Sequence, residues 1–382
     1  MSPSHDPIFQ PFSFANGLTL RNRVVMAPMT TWSANADATM SEPELAWYRA
    51  RANGVGLVIT GCTHVQPSGI GFTKEFAAYD DRFIPSLKNL AQAAKSGGAP
   101  AVLQLFHAGN KAVPDLVPHG ELVSASNLAA PKGPFNDGKL ASRALTHAEI
   151  LSMTHDFGEA TRRAIEAGFN GVELHGAHGF LLQNFLSPLF NQRTDEWGGS
   201  LENRMRFPLA VVAEVRRVIA SHAQRPFLLG YRISPEEPGE GGLRINEALT
   251  FSNRLIETGL IDYLHASLYN IKTGTAMDDT SGKTMTQRFI ETVKNRIPLI
   301  AAGGVLTPDD AREALAAGLP LVAIGRGLAI NPHWVELAQA ERSEEINSVL
   351  DLSLGTDALN IPHDLWQTIQ TTPGWFPVKA NG

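Results

Sequence analysis

Eight short apolar runs recur along the chain, and together they constrain the fold more than any other feature. They are VVMAPM (24–29), GLVITG (56–61), AVLQLF (101–106), GVELHG (171–176), FLLGYRI (227–233), YLHAS (263–267), PLIAAG (298–303) and PLVAIG (320–325). The runs are continuous rather than alternating, as expected of parallel strands covered on both faces. Amphipathic segments with helical spacing lie between them. THAEILSMTHDFGEATRRAIEAG precedes the fourth run, and SLENRMRFPLAVVAEVRRVI, opening on a capping Ser200, follows it. TPDDAREALAAG precedes the eighth, with Thr307 and Pro308 at N-cap and first-turn positions and Gly318 at its end. Eight strand–helix units in one chain predict an α/β fold, a (β/α)8 TIM barrel, rather than two doubly wound domains.

A bare barrel needs roughly 250 residues, and this chain has 382. The surplus is expected in three places. PFSFANGLTLRN carries an Asn16-Gly17 turn and reads as an N-terminal hairpin plugging the bottom of the barrel. Residues 108–145 form a long segment after the third strand. Residues 1–340 are read as a single barrel domain, and 341–382 as a C-terminal extension packed on the barrel or on a neighbouring subunit.

Charge and cysteine usage exclude several classes. A formal net charge of -6 leaves no electrostatic footprint for nucleic acid. Cys62 is the single cysteine, which rules out a disulfide framework, a thiolate zinc site and an iron–sulfur cluster. The sequence has neither a basic-plus-apolar leader nor an uninterrupted apolar run long enough for a membrane span, so a soluble, cytoplasmic protein is expected.

Reacting groups of such barrels sit at the carboxyl ends of the strands. In order, these ends supply Pro28, Met29 and Thr30, then Cys62, Gln104, His175 with His178, Arg232, Gly303 with Gly304, and Gly325 with Arg326. The two glycine-bearing loops follow strands seven and eight, where barrels commonly bind phosphate through backbone N–H groups, although glycines there can also simply end strands. Gln104 closes an apolar strand and needs both ends of its carboxamide satisfied, by backbone or by a ligand edge. Arg232 demands an anion, either a structural partner such as Glu173 or a ligand. His175 and His178 lack the third ligand that a metal would want. They serve either as backbone-bonded core histidines or as two N–H donors converging on one oxygen.

RNRVVMAPMT, GLVITG, VLQLFHAGNKA, GVELHGAHGFLLQNFLSPLFNQRTDEWGGSLENRMRF and AIGRGLAINP together resemble the old yellow enzyme family of FMN-dependent NAD(P)H oxidoreductases, from about residue 6 to about residue 340. The resemblance implies FMN across the barrel mouth. Pro28, Met29, Thr30 and Cys62 would line its ring system, and Gln104 would take the pyrimidine edge. Arg232 would stabilise negative charge near N1, and Gly303, Gly304, Gly325 and Arg326 would hold the phosphate. His175 and His178 would be the catalytic oxygen clamp. NADH or NADPH would act as a transient reductant, since no G-x-G-x-x-G fingerprint marks a domain for it. Hydride would pass to FMN N5 and on to an electrophilic small molecule, an α,β-unsaturated carbonyl or a nitro compound.

Phe180 departs from this pattern. It stands where most family members place a proton-donating tyrosine, and a phenyl ring cannot donate. Solvent, Tyr269 or Tyr231 would then supply the proton, or alkene reduction is not the main activity. Thr30 in place of cysteine, Trp32 in place of tyrosine, and Lys111 further mark the expected substrate pocket, with Phe180 and Tyr269. Alternative readings are a tRNA dihydrouridine-type flavin enzyme, which the acidic balance disfavours, and a non-catalytic phosphate-binding barrel. The family's habit of pairing subunits makes a homo-oligomer an expectation.

Overall fold

The architecture is that of a computed structural model describing residues 5–379. A short hairpin opens it, β1 (Phe12–Ser13) with β2 (Thr19–Leu20). The chain continues through β3 (Val24–Met26), α1 (Glu42–Arg51), β4 (Leu57–His64), α2 (Ile84–Ala94) and β5 (Ala101–Phe106). A two-stranded ribbon, β6 (Val123–Ser124) and β7 (Arg143–Ala144), precedes α3 (His147–Ala167) and β8 (Gly171–Gly176). Then come α4 (Leu181–Leu186), α5 (Leu201–His222), β9 (Leu228–Ile233), α6 (Ile245–Glu257), β10 (Tyr263–Ser267) and α7 (Met285–Val293). The chain closes with β11 (Leu299–Ala302), α8 (Pro308–Ala316), β12 (Leu321–Ile324), α9 (Arg326–Ile330), α10 (Trp334–Gln339) and α11 (His363–Thr371). Strands β3, β4, β5, β8, β9, β10, β11 and β12 pair in parallel and close on themselves, which is the expected (β/α)8 barrel.

The eight apolar runs become these eight strands because both of their faces are buried. One face points into the barrel and the other meets the helices. The inner cluster joins Val25, Leu57, Ile59, Val102, Leu228, Tyr263, Ile300 and Leu321 to Phe14 and Leu20 of the hairpin, so the hairpin closes the bottom. Helix α3 shows how the outer layer holds. Thr146 and Glu149 form a capping box, and Gly168 ends the helix in the left-handed region at φ 93°. Its Ile150, Met153, Phe157, Ala160 and Ala164 are buried, and each large apolar side chain contributes about 1.5–3 kcal/mol.

Two local features differ from the expected pattern. β4 runs on to His64 with a register shift between Ile59 and Cys62, so Cys62 lies within the strand and not beyond its end. The Asn16-Gly17 turn is wider than a two-residue hairpin, with Phe14 N–H bonded to Leu18 O at 2.9 Å.

Beyond α10, the chain returns across its own barrel. Arg51 is buried and donates to Leu359 O (2.6 Å), Ala329 O (3.2 Å) and Asn360 O (3.2 Å), with its guanidinium 3.6 Å from the Trp47 ring centroid. No helix among the described residues is long and apolar enough to cross a membrane.

Candidate active site at the barrel mouth

Strand pleating decides which side chains reach the mouth. In the ladder Gln104 pairs with Glu173, and Arg232 pairs with both His175 and His265; Gln104, Glu173, Arg232 and His265 are all buried. Two residues farther along, the inward face of β8 presents His175 and that of β10 presents Ser267. Glu173 organises the floor. Its carboxylate accepts from Gln104 Nε2 (2.7 Å), the Tyr263 hydroxyl (3.0 Å) and His265 Nδ1 (2.9 Å). Burial alone would raise the Glu173 pKa, but His265, Arg232 and Gln104 hold it below the ordinary carboxylate value. With one amide hydrogen on Glu173, Gln104 keeps its carbonyl oxygen and its second amide hydrogen for a ligand.

Of its two expected alternatives, Arg232 does not form the ion pair with Glu173. Its Nη2 donates to Ser267 Oγ at 3.0 Å, and its Nε is buried without a partner. An orphaned guanidinium N–H is costly unless a ligand accepts from it.

Two adjoining cavities meet at Pro28, Met29, Phe135, Arg232 and Trp375. The larger, about 420 Å³, is walled by Gly303, Gly304, Gly325, Arg326 and Tyr269. Gly303 and Gly304 have φ of 154° and 76°, and a Cβ on Gly303 would lie 2.4 Å from Leu268 O. Only glycine fits there. The smaller, about 260 Å³, holds Thr30, Trp32, Cys62, Gln104, His175, His178 and Phe180.

The rings of His175 and His178 have centroids 4.9 Å apart. His175 Nδ1 accepts from Ala177 N–H at 3.3 Å, which leaves its proton on Nε2. Burial, then the neighbouring His178 and Arg232, push its pKa well below the ordinary histidine value. His178 is exposed to the open cavity, and desolvation with the Arg232 and Lys111 charges lowers its pKa likewise. Both rings are therefore neutral donors at pH 7. The His178 backbone is left-handed, φ 58°, and is held by its N–H to Ser234 Oγ (2.9 Å) and by Lys111 Nζ to its carbonyl (2.5 Å). Strain of this kind persists where the surroundings over-determine it, commonly at functional sites.

Phe180 packs edge-on against His175 at 4.9 Å and Phe106 at 5.0 Å. An aromatic roof lies above it. Trp32, itself at φ 50°, meets Phe72 (5.4 Å), Phe135 (5.3 Å) and Trp375 (5.9 Å). Sequence reasoning missed Phe72, Phe135 and Trp375, which arrive from three separate loops.

Three expected residues stand apart from the smaller cavity. Tyr269 is 89% exposed and lines the larger one. Tyr231 is enclosed on the outer face of β9 against Phe251 and Gly176, so it cannot supply a proton to the mouth. Lys111 lines a third cavity behind His178 and faces the Phe180 ring at 5.7 Å.

Cys62 belongs to a buried chain of polar groups. Its Sγ is 3.4 Å from Thr30 Oγ1 and 4.0 Å from Glu75 Oε2, and Glu75 Oε1 meets His64 Nδ1 at 2.6 Å. Burial first, then Glu75, pushes the Cys62 thiol well up, and burial takes His64 down to about 3. Cys62 is therefore a protonated wall residue, not a nucleophile.

A glycine-walled cavity joined through an unsatisfied arginine to a second cavity with a carboxamide floor asks for a planar, electron-rich group carrying a phosphate. That requirement defines the class, a flavin-dependent oxidoreductase built on a barrel. The sequence profile of the NADH:flavin oxidoreductase / NADH oxidase family matches residues 7–345. The chain belongs to that family, its cofactor is FMN and its reductant is NADH or NADPH. It is 44% identical over 381 residues to the probable NADH-dependent flavin oxidoreductase YqiG of Bacillus subtilis (strain 168), covering 99% of this chain and 100% of that one. It is 37% identical to the NADH:fumarate oxidoreductase of Klebsiella pneumoniae (strain 342), over 95% of this chain but 39% of that longer protein. Morphinone reductase, solved with tetrahydroNAD, superposes with a TM-score of 0.75 at 28% identity, over 89% of this chain and 92% of its own.

Proposed function

We propose that this oxidoreductase passes hydride from NADH or NADPH to an electrophilic small molecule, such as an α,β-unsaturated carbonyl or a nitro compound, held by His175 and His178. The observation that carries the reading is the imidazole pair, two neutral donors in one cavity with Gln104 and Arg232. Bound FMN supplies reversible hydride storage between reductant and acceptor. Pro28, Met29, Thr30 and Cys62 line its ring system, and Gln104 meets its pyrimidine edge. Arg232 offers its free Nε–H to negative charge. Gly303, Gly304, Gly325 and Arg326 hold its phosphate.

The clamp polarises the acceptor oxygen, and its N–H donors strengthen as charge develops there. Phe180, in the same cavity, has no proton to give to a carbon atom. Acceptors whose proton ends on oxygen, the nitro compounds, are therefore expected to turn over better than enones. The test is oxidation of NADH and NADPH followed with a nitro compound, with 2-cyclohexenone and with oxygen as acceptors. Faster turnover with the enone would show that an acid, from solvent or from the protein, reaches the carbon readily despite Phe180. Residues beyond 340 serve in this reading as a roof over the cofactor, and Trp375 is their contribution to the site.

A further inference from the structure

Ser267 ends β10, two residues beyond the floor residue His265. Its Oγ lies 2.7 Å from His178 Nε2 and accepts from Arg232 Nη2 at 3.0 Å. The direction of this short chain can be worked out from the donors. A guanidinium only donates, so one lone pair of Ser267 is committed to Arg232. Among the described residues, the one acceptor placed for the Ser267 hydroxyl hydrogen is His178 Nε2. The reverse arrangement, with His178 Nε2–H donating, would leave that hydroxyl without a protein acceptor. It would also turn a bare Nδ1 lone pair toward the cavity, where an acceptor oxygen would be repelled.

We propose that Ser267 is a positioning residue that fixes His178 in its Nδ1–H tautomer and so creates one of the two donors of the oxygen clamp. This rests on the reading that His175 and His178 bind the acceptor oxygen. The two donors are then His175 Nε2–H and His178 Nδ1–H, each selected by a hydrogen bond to the other ring nitrogen. Ser234 and Lys111 hold the His178 main chain, and Ser267 sets the ring's hydrogen. The same hydroxyl joins the clamp to Arg232, the group facing the cofactor's electron-rich edge. Polarisation at that edge is thereby passed through one serine to the substrate oxygen.

The experiment is long-range proton–nitrogen correlation NMR on the FMN-bound protein labelled with ¹⁵N-histidine, together with titration by a phenol. Wild type is expected to show His178 protonated at Nδ1. Ser267→Ala should move that proton to Nε2 or mix the tautomers, and weaken phenol binding roughly tenfold while FMN stays bound. Ser267→Thr, which keeps the hydroxyl, should restore both. An Nε2–H tautomer in wild type would overturn the proposal, and that spectrum decides the matter even if the alanine variant does not fold. Unchanged phenol affinity and an unchanged tautomer in Ser267→Ala would overturn it as well. The clamp reading fails separately, if phenol binding survives replacement of both His175 and His178 by alanine.

Discussion

Arg326 Nη1 donates to the carbonyl oxygen of Trp375 at 2.9 Å, which ties the loop after the last barrel strand to the C-terminal segment. Trp375 lines both cavities and stacks edge-on against Trp32 and Phe135. The tail therefore forms a wall of both cavities at the barrel mouth, the proposed cofactor site. A chain ended after residue 371 should lose FMN at least about tenfold more readily, as one net hydrogen bond and a buried aromatic ring disappear together. Flavin fluorescence on dilution measures this, and equal retention would show that the roof is dispensable.

Gly303 leaves no space for a side chain. At φ 154°, with Leu268 O 2.4 Å from where a Cβ would stand, Gly303→Ala forces the loop after β11 to move. A loss of about 1–3 kcal/mol in stability is expected, with FMN retention falling at the same time. Urea unfolding of the apoprotein separates the two effects. Normal stability and normal FMN content would mean that the loop yields without cost.

Phe180→Tyr places a phenol beside His175. Enone turnover should rise about a hundredfold relative to nitro turnover, the lower end of general acid catalysis. The rate at which NADH reduces the enzyme should stay the same, because Phe180 holds no proton in that half-reaction. Stopped-flow measurement of the two half-reactions checks this, and an unchanged oxidative half-reaction would show that protonation is not limiting.

Glu44 makes stability depend on pH. It is buried on α1, bonded to the Thr31 hydroxyl with its other oxygen unpartnered, and burial raises its pKa from 4.5 to about 7. A carboxyl with a raised folded pKa binds its proton more tightly folded than unfolded. Its contribution to stability is therefore lost as pH rises from about 4.5 to about 7 and is constant above that. Glu44→Gln should abolish this slope and gain ~3 kcal/mol relative to wild type between pH 4 and pH 8. Parallel melting-temperature profiles for the two proteins would contradict the assignment.

The barrel was legible because each parallel strand is buried on both sides and reads as a continuous apolar run. The mouth residues were legible by their place at strand ends. Ser267 and His265 were present in YLHAS, but only the register against Arg232 shows them facing the same mouth. Tyr231 could have been set aside from sequence, since it neighbours Arg232 and successive strand residues point to opposite faces. A tail packed on the barrel was expected, but Phe135 and Trp375 were not legible as partners of Trp32. They reach Trp32 from loops about 100 and 340 residues away, and periodicity carries no signal over such distances.

His175 and His178 are proposed to hold the oxygen of the electron acceptor above FMN. Titrating the FMN-bound protein with a para-substituted phenol tests this most directly, because a phenolate stacked on the flavin produces a long-wavelength absorption band. Wild type should develop that band, and the His175→Ala/His178→Ala protein should keep its FMN and lose it. An undiminished band in the double variant would contradict the account.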